Sequence, residues 1–154
     1  VVDSGLSQRA TDVIIETPDG SLWAGLDNGL ARIDPLTGHS EITRLPKAVM
    51  SLCAGQDGNS IWVSLAPYGE VWECPIRAGR LVSAEEWLQR RSALKSEVLS
   101  TSLLRASDGR TWFINDHYNL PTSVIDPATG SWEDINLSNL GGDNFDFSIL
   151  ETPD

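Results

Sequence analysis

Positive charge is scarce in this chain: 11 lysines and arginines stand against 22 aspartates and glutamates in 154 residues, a formal net charge of −11. Nucleic acid or an anionic membrane surface would be repelled unless the basic residues were gathered on one face. They are dispersed, Arg90-Arg91 being the only basic doublet, so neither nucleic acid nor direct membrane contact by this segment is expected. Cysteine is scarce too, and Cys53 and Cys74 cannot frame a disulfide-rich scaffold. Only two histidines occur, His39 and His117, too few for a His-rich metal cluster. A Gly-rich phosphate loop, a nucleophile elbow and a His-Glu-x-x-His motif are all missing. No catalytic residue, no metal and no cofactor is therefore expected. No apolar run approaches the length that spans a bilayer.

What the chain has is repetition. One phrase returns four times: Ile14-Ile-Glu-Thr-Pro-Asp-Gly20, Leu52-Cys-Ala-Gly-Gln-Asp-Gly58, Leu104-Arg-Ala-Ser-Asp-Gly109 and Ile149-Leu-Glu-Thr-Pro-Asp154. A tryptophan follows each of the first three, Trp23, Trp62 and Trp112. Between the phrases, apolar residues alternate with period two, the mark of strands rather than helices. In the first unit Asp19-Gly20, Asp27-Asn-Gly29 and Asp34-Pro-Leu-Thr-Gly38 are turn signals that separate four short strands. The third unit repeats the pattern, down to Ile125-Asp-Pro-Ala-Thr-Gly130 in the place of Ile33-Asp-Pro-Leu-Thr-Gly38.

The middle unit keeps the beginning and then drifts, with the extra length falling at Ser83 to Lys95. Ser83-Ala-Glu-Glu86 has the form of a capping box. Behind it Trp87, Leu88, Arg91 and Leu94 share one helical face, which predicts a short amphipathic helix packed over the second unit. Cys53 and Cys74 fall on its first and third strands, about 9–10 Å apart at twice the interstrand spacing, so two free buried thiols are expected.

Repeated four-stranded meanders of about 40–50 residues build β-propellers. The fold predicted is all-β: blades at about 11–46, 49–95 and 99–138, the start of a further blade at 144–154, and one short inserted helix. The three periodic tryptophans are read as filler between blades, not as a ligand platform. Three blades do not close a ring, so the rest of the propeller is expected from a longer chain or from a second copy.

Asp19-Gly-Ser-Leu-Trp-Ala-Gly25 with Asn28-Gly-Leu-Ala-Arg-Ile-Asp34 closely resembles the two-component regulator propeller repeat. The resemblance implies the periplasmic or other extracytoplasmic sensing part of a bacterial signalling protein: a non-catalytic module that binds a small molecule, a glycan or a protein. Asp-Gly-x-Leu-Trp and Arg-Ile-Asp-Pro-x-Thr-Gly also resemble the propeller of the streptogramin lyases, which are metal-dependent enzymes. That alternative would put a histidine to work, with His117 the candidate. In a propeller, the loops between second and third strands share one face with the blade-to-blade connections. Loops on a rigid scaffold gather binding residues. On this ground Asn28, Tyr68, Asp116, His117, Tyr118 and Asn119 are the candidate ligand-binding residues.

Overall fold

The computed structural model describes residues 10–55, 58–67, 69–89, 102–115, 121–126 and 128–136. They form three antiparallel meanders, each a propeller blade. The first is β1 (Ala10–Glu16), β2 (Leu22–Leu26), β3 (Gly29–Ile33) and β4 (Ser40–Arg44), hydrogen-bonded in that order. The second begins β5 (Val49–Ala54), β6 (Ser60–Leu65), β7 (Glu70–Arg77). The third is β10 (Ser102–Arg105), β11 (Thr111–Ile114), β12 (Thr122–Ile125) and β13 (Trp132–Ile135), again in chain order. The first strands β1 and β10 both lie beside β5, and the Leu103 N–H donates to Ser51 Oγ at 3.0 Å across the second gap.

The turn phrases work through their side chains. The Asp19 carboxylate accepts the Ser21 N–H at 3.1 Å and the Thr17 hydroxyl at 2.7 Å. Thr17 Oγ1 in turn accepts the Trp23 indole N–H at 3.2 Å. The two Asp-Pro-x-Thr-Gly segments close alike. Asp34 Oδ1 takes the Leu36 N–H at 2.8 Å, and Asp126 Oδ1 takes the Ala128 N–H at 2.7 Å. Each loop then ends on a glycine with φ near +70°, Gly38 and Gly130, where a side chain would be strained.

Because side chains alternate across a strand, each blade has two apolar faces that form seams with its neighbours. The periodic tryptophans stand at one register: Trp23 opposite Ile15, Trp62 opposite Cys53, Trp112 opposite Leu104. Trp23 packs in the first seam with Leu52, Ile61, Val63 and Cys74 of the second blade. Trp62 packs in the second seam with Leu103, Phe113, Ile125 and Trp132 of the third. Both are 2% exposed. Trp112 differs from the expectation: it is only partly buried and joins none of the described core clusters. Cys53 and Cys74 are free and buried, as the strand spacing predicts. They belong to opposite seams.

The inserted helix is corrected. The described part of the insertion holds one 3-10 turn, Ala84–Glu86, followed by strand β9 (Leu88–Gln89), which pairs with Trp72 and Glu73 of β7. β8 (Arg80–Leu81) pairs with the other end of β7. The second blade's fourth strand is thus present but split in two. The physical reason is the open edge of β7: its peptide groups need partners, and returning the chain to that edge satisfies them. The reciprocal capping box does not form either. Ser83 bonds Glu85, and the Glu86 carboxylate pairs with Arg77 at 2.8 Å. Trp87 is buried in the first seam. Arg91 and Leu94 lie outside the described residues.

Candidate functional site

One end of the blades carries the connections β2–β3, β4–β5, β6–β7 and β11–β12. The first three are stitched together by backbone. The Leu45 N–H donates to the Asn28 carbonyl at 2.8 Å, and the Ala66 N–H donates to the Ala48 carbonyl at 2.9 Å. The β2–β3 turn is tight because Gly29 sits hard against β4: a Cβ there would run into the Thr43 carbonyl oxygen.

A cavity of about 170 Å³ opens where the β4–β5 connection meets the second blade. Leu45, Pro46 and Lys47 supply one wall; Leu65, Glu70, Trp72 and Trp87 supply the other. An engineered apolar cavity of about 150 Å³ holds benzene, so this space suits one ring or a branched aliphatic group. Its polar element is a single ion pair, Lys47 Nζ to Glu70 Oε1 at 2.6 Å. The Trp72 indole N–H reaches Glu70 Oε2 at 3.5 Å. The Lys47 hydrogen bond, helped by that of Trp72, holds the Glu70 carboxyl below the usual glutamate range against the opposing effect of burial. Glu70 is therefore ionised near neutral pH with both oxygens engaged, suited to holding a donor and unsuited to giving up a proton. The Trp87 indole N–H is tied to the Val82 carbonyl at 3.3 Å, which fixes the ring.

The nucleophiles elsewhere are quiet. Burial pushes the Cys53 thiol up to about 12 despite the nearby Arg105. Burial likewise raises Cys74 well above its ordinary value. Both are protonated at neutral pH, and the thiolate is the reactive form. Among the described residues, no group of three or more His, Cys, Asp or Glu is placed to hold a metal ion.

Of the residues singled out in sequence, Asn28 is placed at this end. Its carbonyl anchors Leu45, a wall of the cavity, and its own Oδ1 is buried without a hydrogen-bond partner among the described residues. Tyr68, Asp116, His117, Tyr118 and Asn119 lie outside the described residues. Sequence reasoning missed Glu70, Trp72 and Trp87. A signal was available in the tryptophans themselves. Of six, three follow the repeat, and Trp72 and Trp87 are left over on the diverged middle unit.

No family model matches the chain, and no curated protein matches it. Solved structures do. A gluconolactonase of Xanthomonas campestris superposes with a TM-score of 0.62 at 14% identity, over 84% of this chain and 48% of its own. The extracellular domain of BT4673 of B. thetaiotaomicron, designated a one-component system, gives 0.61 at 20% identity over 94% of this chain and 18% of its own. The β-propeller domain of Cps50 (Swd1) of Myceliophthora thermophila gives 0.58 at 16%, over 84% of this chain and 44% of its own. The chain thus spans less than half the length of each of these relatives in structure. An enzyme, an extracellular domain and a third propeller share with it one thing, and that is the fold: this chain is built of β-propeller blades.

Proposed function

We propose that this chain is a ligand-sensing or interaction segment of a β-propeller, of the kind that bacterial signalling proteins carry outside the cytoplasm. Its ligand, a small molecule, a glycan or a segment of protein, docks on the loop end and places a ring-sized group in the Lys47–Glu70–Trp72–Trp87 cavity. The observation that carries this reading is that cavity: apolar walls with one internally neutralised charge pair favour binding an uncharged group over chemistry. The repeat phrases and the likeness to an extracellular domain over 94% of the chain support the sensor class. Residues 116–119 connect β11 to β12, so Asp116, His117, Tyr118 and Asn119 join Asn28 and Tyr68 as the proposed rim.

Titration with a panel of neutral monosaccharides, aromatic alcohols and aromatic amines, followed by tryptophan fluorescence, tests the reading. A saturable change is expected for at least one class, weakened about tenfold or more in Lys47→Ala and in Trp72→Ala. Binding that survives both substitutions together would place the ligand elsewhere. The likeness to a gluconolactonase keeps an enzyme as the second reading, in its streptogramin-lyase-like form with His117 at work. That reading requires metal-dependent turnover lost in His117→Ala, which a sensor does not show.

A further inference from the structure

The three blades differ sharply where their first strands end. Glu16, Ala54 and Arg105 each stand three residues before the aspartate of their Asp-Gly phrase. They hold one register, opposite Leu22, Ile61 and Thr111. Equivalent positions thus carry a carboxylate, a methyl group and a guanidinium. Strand pairing needs none of these side chains, because the backbone makes it.

A cleft of about 390 Å³ opens among them, at the end of the blades opposite the Lys47–Glu70 cavity. It is lined by Glu16, Thr17 and Pro18 of the first blade, Ala54 and Gly55 of the second, and Arg105 of the third. Small-molecule sites have this order of size. The room comes from the middle blade, which offers only a methyl group and a glycine. Gly55 lies so close to Ser60 that a Cβ there would collide with it. Pro18 rests on the next turn, where a Cβ on Gly58 would come within 3.0 Å of its ring. The first two blades are thereby fastened together beneath the cleft. Glu16 is exposed, and its carboxylate makes no ion pair with the described residues. The Arg105 guanidinium comes near enough to the middle blade to act on the Cys53 thiol. Its five N–H donors let it hold a ligand oxygen alongside a partner within the protein.

We propose that this cleft binds a small zwitterion, an amino acid or short peptide, with its ammonium on Glu16 and its carboxylate on Arg105. A chain of net charge −11 disfavours a simple anion, and Arg105 disfavours a simple cation in the same cleft. A ligand that carries both charges avoids both penalties. Each of its ends gains a charge-assisted hydrogen bond, about twice as strong as a neutral one. Ala54, between the two charged positions, leaves space for the ligand backbone. The site is separate from the loop-end cavity and does not rest on it.

Calorimetric titration of the full chain with glycine, glycylglycine and triglycine tests the assignment. Saturable binding of at least one is expected, and its N-acetylated and C-terminally amidated forms should each bind about tenfold more weakly. Glu16→Gln should weaken the free zwitterion about tenfold and leave the N-acetylated form unchanged, since that form has no ammonium to lose. Arg105→Gln should weaken the zwitterion and leave the amidated form unchanged. No saturation by any of the three to about 10 mM, or equal binding of free and blocked forms, would overturn the proposal. Should Arg105→Gln fail to fold, Ala54→Leu serves instead. It keeps both charges but fills the cleft, and it should abolish binding. Binding that survives Ala54→Leu would place the ligand elsewhere and overturn the assignment.

Discussion

The two described seams solve one packing problem with different materials. In the first, Trp23 is surrounded by aliphatic side chains, Leu30, Leu52, Ile61 and Val63, with Trp87 brought in by the insertion. In the second, Trp62 meets an aromatic group. Its ring lies 5.2 Å from Phe113 at 73° and 6.1 Å from Trp132 at 77°, both edge to face. Phe113 and Trp132 lie 4.8 Å apart at 34°. The first seam carries a polar tie: Thr17 links the Trp23 indole to the Asp19 turn. The repeated tryptophan therefore specifies volume and register, while the facing blade is free to choose aliphatic or aromatic partners.

The comparison is most severely tested by removing its centre. Trp62→Ala should cost about 3–5 kcal/mol of stability, the range for a buried tryptophan, read by denaturant unfolding. A loss under about 2 kcal/mol would mean that the second seam is not a core. Next in size is the coupling. A cycle of Trp62→Leu and Phe113→Leu should show about 0.5–1.5 kcal/mol of aromatic interaction. The corresponding cycle of Trp23→Leu and Val63→Ala should show less, since Val63 is aliphatic and brings no ring to the pair.

Thr17→Val then isolates the polar tie. It leaves the Trp23 indole N–H without its acceptor and is expected to cost about 1 kcal/mol. The pH dependence follows from Glu70, whose folded pKa is depressed below 4.5 by Lys47 and Trp72. The stability it contributes is present in full above the unfolded value, near 4.5, and is lost as pH falls through the lower folded value. Glu70→Gln should flatten that acid limb by about 0.5–1 kcal/mol, the scale of a partly exposed ion pair. The smallest effect is a null one on either side of the middle sheet. Neither Cys53 nor Cys74 should react with a thiol reagent at pH 8 in the native protein, and both should react on unfolding. Rapid labelling of one alone would show that its seam opens.

Much of this was legible because it is local. The Asp-Pro-x-Thr-Gly segments at 34–38 and 126–130 close through their own aspartates and need nothing from the rest of the molecule. The two cysteines are kept apart by strand spacing and strand parity. The misreading at 83–89 has the opposite cause. A capping box and a helical stripe are local preferences, and they yielded to the unpaired edge of β7, which a local pattern cannot see. Trp112 was misjudged for a related reason: repeat position sets its register but not its burial, and it is only partly buried. At the candidate site, Asn28 was reached through its loop. Glu70, Trp72 and Trp87 come from a strand and an insertion that converge only once the second blade folds.

The sequence by itself determined the strands, the turns, the register of the tryptophans and the all-β blade architecture. Period-two alternation and self-closing turns are encoded within a few residues. Only the tertiary structure decided what each seam is made of, how the second blade's fourth strand is split, and where a ring-sized cavity opens beside the Lys47–Glu70 pair. Those are properties of surfaces meeting across tens of residues, and packing free energy is set by both surfaces together.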